Sequence, residues 1–154
     1  MSEIVRTVTR WIFAFIATYG VYLVAYGHLT PGGGFAGGVM LASGYVLLVL
    51  SRGAKEAEKS LGLRPAKALD SVGALLFLAI AVLGLVLGQG FFENFIQKST
   101  PGEPLEILNA GIIPLCNIAI ALKVMTSLFV VFVVMASVRF AGSGEELEYT
   151  SEEE

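Results

Sequence analysis

Four long apolar runs dominate the pattern of hydrophobic and polar positions along the chain. They cover about residues 11–27, 35–51, 71–92 and 112–140. A membrane-spanning helix needs about 20 mostly apolar residues, and the runs are close to or above that length. The predicted fold class is an all-α membrane protein with four transmembrane helices. We expect one membrane domain over residues 1–142 and an acidic tail over residues 143–154.

A proline–glycine segment, residues 27–38, separates the first two runs and reads GHLTPGGGFAGG. Proline lacks the N–H that a helix interior requires, and glycine loses the most backbone entropy on folding. The chain is therefore expected to stop, turn tightly and begin a new helix. The residues of this predicted structural motif are Pro31, Gly32, Gly33, Gly34, Phe35, Gly37 and Gly38.

Small residues recur at helical spacing in the second and third runs. In lipid, small side chains let helix backbones approach closely, and the G-x-x-x-G spacing is typical of such contacts. The pattern therefore predicts close packing against neighbouring helices. Besides the glycines of the proline–glycine segment, the residues predicted to pack in this way are Ala42, Gly44, Gly84 and Gly88.

Basic residues are distributed unevenly between the two sides of the predicted helices. Lys98 alone lies in the loops opposite the N-terminal side, whereas eight basic residues lie on that side. The positive-inside rule therefore predicts that both termini are cytoplasmic and that the proline–glycine segment faces outward. The eight residues are Arg6, Arg10, Arg52, Lys55, Lys59, Arg64, Lys67 and Arg139.

The composition excludes several classes of function. Apolar residues make up 55% of the chain and charged residues 15%, and the net charge of −3 offers no basic surface for nucleic acid. With one cysteine and one histidine, neither an intrachain disulfide nor a metal site built from His and Cys is expected. No nucleophile–base pair and no paired carboxylates appear, so the chain is not expected to be an enzyme or to hold a cofactor.

A G-x-G-x-x-G pattern at residues 32–37 does not indicate dinucleotide binding. That fingerprint requires a preceding strand within a βαβ unit, and here it lies between two predicted membrane helices. A P-loop is also excluded, because no Lys-Ser or Lys-Thr pair closes the segment.

Three ionisable residues are candidates for an ion path: His28, Lys123 and Asp70. Histidine titrates near neutral pH, so His28 is either a proton relay or a hydrogen-bonded anchor at the interface. Asp70 lies at the inner edge of the third run, where it or Ser71 is expected to cap the helix.

Lys123 is the most unusual of the three. It lies about 14 Å along the fourth run from Pro114, near the middle of a bilayer core about 30 Å thick. A lysine at that depth costs about 3 kcal/mol on insertion scales. Since Asp70 was expected at the membrane edge, the partner of Lys123 is expected on another protein. Lys123 then either serves an ion pathway or anchors an interface with a neighbour.

The proline–glycine segment resembles the signature of the MnhB/MrpB family, in the form Gly27-His28-Leu29-Thr30-Pro31-Gly32-Gly33-Gly34-Phe35-Ala36-Gly37-Gly38. These proteins are small membrane subunits of Mrp-type Na⁺/H⁺ antiporters, and similar subunits occur in archaeal membrane-bound hydrogenases and related sulfur-reducing complexes. The chain length and the four-helix layout also match. Lys123 and the acidic tail match no family pattern.

The resemblance implies a non-catalytic, multi-pass subunit in the cell membrane that packs with other membrane subunits and helps to form a route for Na⁺ or H⁺. Whether the complex is a plain antiporter or a redox-driven pump is left open. One alternative is a purely structural assembly subunit with no ion contact. Another is a small autonomous channel or carrier, which is disfavoured because one buried lysine without a buried acid makes a poor cation site.

Overall fold

The computed structural model describes residues 3–29, 31–52, 63–88, 90–96 and 110–151. These residues form four helices: α1 (Glu3–Ala25), α2 (Gly33–Arg52), α3 (Leu63–Gly88) and α4 (Ile113–Ser151). Each helix contains a stretch long and apolar enough to cross a membrane. The predicted all-α class with four spanning helices is therefore confirmed, and no strand occurs in the described ranges. Thr30, Lys55, Lys59, Lys98 and the last three residues lie outside them.

The bounds of the helices differ from those of the apolar runs: α1 ends at Ala25 and α3 at Gly88, before the predicted ends at 27 and 92. Helix α3 begins at Leu63, so Asp70 lies inside the helix, and the expected N-cap at Asp70 or Ser71 is wrong. Helical backbone does not require apolar side chains, and alanine, leucine and lysine before Asp70 are good helix formers. Helix α4 likewise continues past the apolar run into the acidic tail, and α2 begins at Gly33, inside the glycine stretch.

The helices pack in the order α1, α2, α4, α3, so that α4 lies between α2 and α3. Helices α1 and α2 are antiparallel: Gly20 meets Leu41 and the backbone of Gly37, and Phe13 meets Gly44. This pairing follows from the short connection, because a tight turn returns the chain alongside the helix it has just left.

Helix α4 runs parallel to α2 and antiparallel to α3. Near the start of α2, Gly34 contacts Asn117 on α4. Near the end of α2, Val49 shares a small apolar cluster with Ala66 of α3 and Phe129 of α4. Three helices therefore meet around Phe129, which is 2% exposed.

The proline–glycine segment makes the turn between α1 and α2. Gly33 has a φ of 88°, a conformation that favours glycine. Gly27 packs directly on Gly33: a Cβ added to Gly27 would lie 2.7 Å from the nitrogen of Gly33 and 2.8 Å from the carbonyl oxygen of Leu23. Both positions therefore need glycine for the two helices to stay adjacent.

The glycines of α2 face two different helices. A Cβ added to Gly38 would lie 2.9 Å from the carbonyl oxygen of Ala121, on α4. A Cβ added to Gly44 would lie 3.2 Å from Cδ2 of Phe13, on α1. Gly34 shares the first face and Gly37 the second, so α2 is in close contact on both sides.

Gly84 packs against the turn that follows α3. An added Cβ there would lie 2.8 Å from the backbone nitrogen of Glu93, in the turn that follows α3. The ring of Phe92 in that turn packs on Phe77, with centroids 5.0 Å apart. In the described part of the chain, Gly84 thus contacts the turn that follows its own helix, and packing of Gly84 and Gly88 against another membrane helix stays a prediction.

Helices α1 and α3, at the two ends of the row, expose large apolar side chains. Trp11 and Phe15 on α1 are each 75% exposed, and Val86 on α3 is 72% exposed. Apolar surface of this extent is expected to be covered by lipid or by other membrane subunits.

Candidate functional site

Lys123 and Asp70 form an ion pair between α4 and α3. The Lys123 Nζ lies 2.9 Å from Oδ1 and 3.0 Å from Oδ2 of Asp70, and it donates hydrogen bonds to both oxygens. The expectation that the partner of Lys123 belongs to another protein is therefore wrong. Two of the three predicted ionisable candidates are brought together within this chain.

The stagger of the two helices explains the pairing. Asp70 is near the start of the spanning stretch Pro65–Leu87 of α3, whereas Lys123 lies in the middle of the stretch Ile113–Ala136 of α4. A Cβ added to Gly73 would lie 2.9 Å from the backbone nitrogen of Lys123, so the two backbones are very close. This close approach brings the short side chain of Asp70 within reach of Lys123. The sequence alone predicted no carboxylate at this depth in the membrane.

Hydroxyl groups on α4 surround the pair. The hydroxyl of Ser127 donates a hydrogen bond to Oδ1 of Asp70. Thr126 is fully buried and donates to the carbonyl oxygens of Leu122, at 2.8 Å, and of Lys123, at 3.1 Å. The carboxylate thus accepts hydrogen bonds from Lys123 and Ser127, which is the arrangement that makes a charge tolerable in an apolar environment.

The ion pair borders an open cleft of about 490 Å³ between α2, α3 and α4. Lys123 and Ser127 are the polar side chains on its wall, and the other lining side chains are apolar, among them Phe35 of α2 and Phe77 of α3. Within this chain the side chain of Lys123 is 44% exposed and that of Asp70 is 30% exposed. An ammonium and a carboxylate beside such an opening are accessible to a proton, a cation or a group from a neighbouring subunit.

Asn117 lies on a different face of α4 and supports α2 instead. Its Oδ1 accepts a hydrogen bond of 3.2 Å from the backbone N–H of Gly34. The first N–H groups of a helix have no partner within that helix, so Asn117 caps α2 from a neighbouring helix. Its Nδ2 is buried with no hydrogen-bond partner among the described residues. In the sequence, Asn117 is noticeable as a side-chain amide inside an apolar run. Its partner, the backbone N–H of Gly34, is not evident from the sequence.

His28 is not part of the ion-pair cluster. It lies half-buried in the turn between α1 and α2, beside the start of α2. Lys123 lies about 15 Å along α4 from Ile113, and the cleft beside it does not include His28. Two separate polar regions therefore result, one at the turn and one between α3 and α4.

Comparison with known proteins agrees with this architecture. A family model described as "Domain related to MnhB subunit of Na+/H+ antiporter" matches residues 4–139. The chain belongs to the MnhB family. The match covers the proline–glycine segment and both residues of the ion pair, so the resemblance carried by the segment is confirmed. It ends before the acidic tail of residues 143–154.

Several known proteins are similar in sequence to much of this chain. The uncharacterized protein MJ1307 of Methanocaldococcus jannaschii is 37% identical over 116 residues, which are 71% of this chain and 42% of that protein. The chain thus spans less than half of that relative. A protein of Staphylococcus saprophyticus with the name "Putative antiporter subunit mnhB2" is 30% identical over 81% of this chain and 92% of its own length. Its namesake in Staphylococcus aureus strain Newman is 32% identical over 60% of this chain and 64% of its own length.

Proposed function

We propose that this chain is a non-catalytic subunit of a multi-subunit Na⁺/H⁺ antiporter in the cell membrane, and that its Asp70–Lys123 pair forms part of the route for Na⁺ or H⁺. The family and the names of the Staphylococcus relatives support the antiporter setting. The single observation that carries the ion-route role is the ion pair at the edge of an open cleft. A membrane domain over residues 1–142 with cytoplasmic termini is part of the proposal.

The chemistry of the Asp70–Lys123 pair supports a role in ion transport rather than only in joining α3 to α4. Ionisable residues within membrane helices are rare, and they commonly mark ion or proton pathways. A cation or proton that reaches Asp70 competes with the ammonium of Lys123 for the same carboxylate oxygens. Binding at Asp70 therefore weakens the hold on Lys123, whose charge then favours the departure of the cation. Ser127 keeps one carboxylate oxygen in place during this exchange.

The test uses the complete antiporter complex, expressed in a host that lacks its own antiporters and assayed in inverted membrane vesicles. We expect Lys123→Met and Asp70→Asn to reduce Na⁺-driven proton movement at least tenfold while the complex still assembles. Lys67→Met is the matched control, because it removes one exposed positive charge from α3 outside the cleft. Normal transport in both pair variants would disprove the ion-route role.

A purely structural role is the second candidate, and the ion pair itself is the observation that favours it. Because Lys123 is neutralised within the chain, the pair could act mainly by joining α3 to α4. The double variant Asp70→Leu with Lys123→Leu separates the two roles, since it removes both charges and leaves none unpaired. Normal transport in an assembled double variant supports the structural role, whereas lost transport with intact assembly supports the ion route.

The hydrogenase-type setting stays a prediction, because the relatives' names mention antiporters alone. Electron-transfer subunits that copurify with this chain would favour a redox-driven complex. Their absence from a complex that exchanges Na⁺ for H⁺ would favour the plain antiporter.

A further inference from the structure

Three arginines gather at the end of the molecule where α1 begins and α2 ends. Arg6, Arg10 and Arg52, together with Thr7, line a cavity of about 300 Å³. None of these residues belongs to the ion-pair cluster or to its cleft. The cavity is a separate polar site, and the proposed ion route does not use it.

The fold brings these arginines together from distant parts of the sequence. Arg6 and Arg10 are one helical turn apart on α1, so they lie on the same face. Antiparallel pairing places Gly20 against Gly37 and Phe13 against Gly44, so the end of α2 lies beside the beginning of α1. Arg52, the last residue of α2, therefore reaches the two arginines of α1.

The positive charge of the cavity is not balanced by the described residues. Glu3 is the one acidic residue of α1, and no ion pair joins it or any other described carboxylate to these arginines. Like charges spaced i, i+4 on a helix repel each other. Three guanidinium groups around a common space are therefore stabilised by an anion placed among them.

Phosphate is the anion that this donor set fits best. The planar fork of arginine binds phosphate oxygens through two parallel hydrogen bonds, and Thr7 adds a hydroxyl donor. The site also lies at a membrane boundary. Arg6 and Arg10 precede the apolar run of α1, and Arg52 follows that of α2.

The apolar surroundings indicate that this phosphate belongs to a lipid. Trp11, directly after Arg10, is 75% exposed, as expected for a side chain at the membrane interface. Trp11 lies one helical turn after Thr7 at the edge of the cavity, and Phe15 lies one turn further, so the two side chains form an exposed apolar strip along α1. Acyl chains can lie on that surface while the headgroup enters the cavity. We propose that Arg6, Arg10 and Arg52 bind the phosphate of an anionic phospholipid in the leaflet on the N-terminal side of the protein.

The experiment measures lipid bound to the purified complex that contains the full chain. The complex is delipidated and titrated with phosphatidylglycerol or phosphatidylcholine in detergent, and bound lipid is counted by native mass spectrometry. We expect one phosphatidylglycerol per chain to bind at least tenfold more tightly than phosphatidylcholine. Arg10→Gln should remove most of this preference, and Arg10→Lys, which keeps the charge but loses the fork, should remove part of it.

Lys67→Gln is the matched control, because it removes an exposed positive charge outside the cavity. We expect it to leave the preference unchanged. An equal loss in Lys67→Gln and Arg10→Gln would overturn the proposal, since it would show attraction to overall charge. Equal binding of both lipids by the wild-type complex would also overturn it. Displacement of phosphatidylglycerol by an equal concentration of inorganic phosphate would instead identify a site for the free ion and reject the lipid.

Discussion

Helix α4 is held by its two neighbours in different ways. Towards α2 the contact depends on close packing: glycine backbones lie against α4, and among the described residues the polar contribution is one hydrogen bond, from the N–H of Gly34 to Asn117. Towards α3 the contact is polar and charged: Lys123 and Ser127 of α4 donate hydrogen bonds to the carboxylate of Asp70. Both contacts use a glycine for close approach, and the contact with α3 adds the charged side chains of Lys123 and Asp70.

The difference indicates that the contact with α2 and the contact with α3 have different roles. In lipid there is little hydrophobic drive for one helix to join another, so close packing and hydrogen bonds provide the association. The glycine contact needs no exchangeable group and suits a permanent joint. The charged contact holds groups that can exchange a proton or a cation, and it borders the cleft. We therefore expect the α2 side to govern assembly and the α3 side to govern transport as well as assembly.

The largest effect on stability is expected from removing one member of the ion pair. Asp70→Leu leaves Lys123 without a described carboxylate partner, and an unpaired charge in a membrane helix costs about 3 kcal/mol. Thermal unfolding of the purified complex should show a clear loss of stability. The double variant Asp70→Leu with Lys123→Leu should recover most of it, and a double variant as unstable as the single one would contradict this account.

A smaller loss is expected from filling the glycine contact. In Gly34→Ala the new Cβ would lie 2.8 Å from Cα of Asn117, so α2 and α4 must move apart. Overpacking of this kind costs about 1–3 kcal/mol, which exceeds the gain in helix propensity. The yield of assembled complex measures the effect.

Gly32→Ala is the control for that change. Among the described residues, a Cβ added to Gly32 would meet one flexible side-chain atom, Cδ2 of Leu23, at 3.2 Å. Assembly should stay near normal in this variant. If both alanine variants assembled equally well, the close backbone contact at Gly34 would not be important for the joint.

Removing the cap on α2 should have a moderate effect. Asn117→Ala leaves the N–H of Gly34 without its acceptor, and loss of a helix cap costs about 1 kcal/mol. Amide hydrogen exchange at the start of α2 should accelerate in the variant, while transport by assembled complexes stays close to normal. A loss of transport as large as that in Lys123→Met would show that the two sides of α4 do not divide the work as described.

The smallest effect is expected from Ser127→Ala. The change removes one hydrogen bond to Asp70 and leaves the ion pair in place, so stability should fall by about 1 kcal/mol. Ser43→Ala is the matched control, because the hydroxyl of Ser43 is exposed and bonds to Met40 in its own helix. Thermal unfolding of both variants separates the contribution at Asp70 from a general effect of losing a serine. Equal stability would mean that Ser127 does not help to hold the carboxylate.

The apolar pattern was sufficient for the fold class and the helix count, because a membrane requires long apolar helices whatever their neighbours are. It was less reliable for helix ends. Apolar side chains indicate which part of a helix contacts lipid. The helical backbone itself continues through charged residues, such as those before Asp70. The residues chosen as candidates included both members of the ion pair, because an ionisable side chain in or beside an apolar run is conspicuous.

The turn between α1 and α2 was determined by the local sequence, since proline and consecutive glycines restrict the backbone whatever packs around them. The pairing of Lys123 with Asp70 was decided by the tertiary structure. It depends on the stagger of α3 against α4, on the close approach at Gly73 and on the position of α4 between two other helices. The sequence pattern of one helix does not determine how far that helix is shifted along its axis relative to a neighbouring helix. The same physical reason explains why Arg52 joins Arg6 and Arg10 only after the chain has folded.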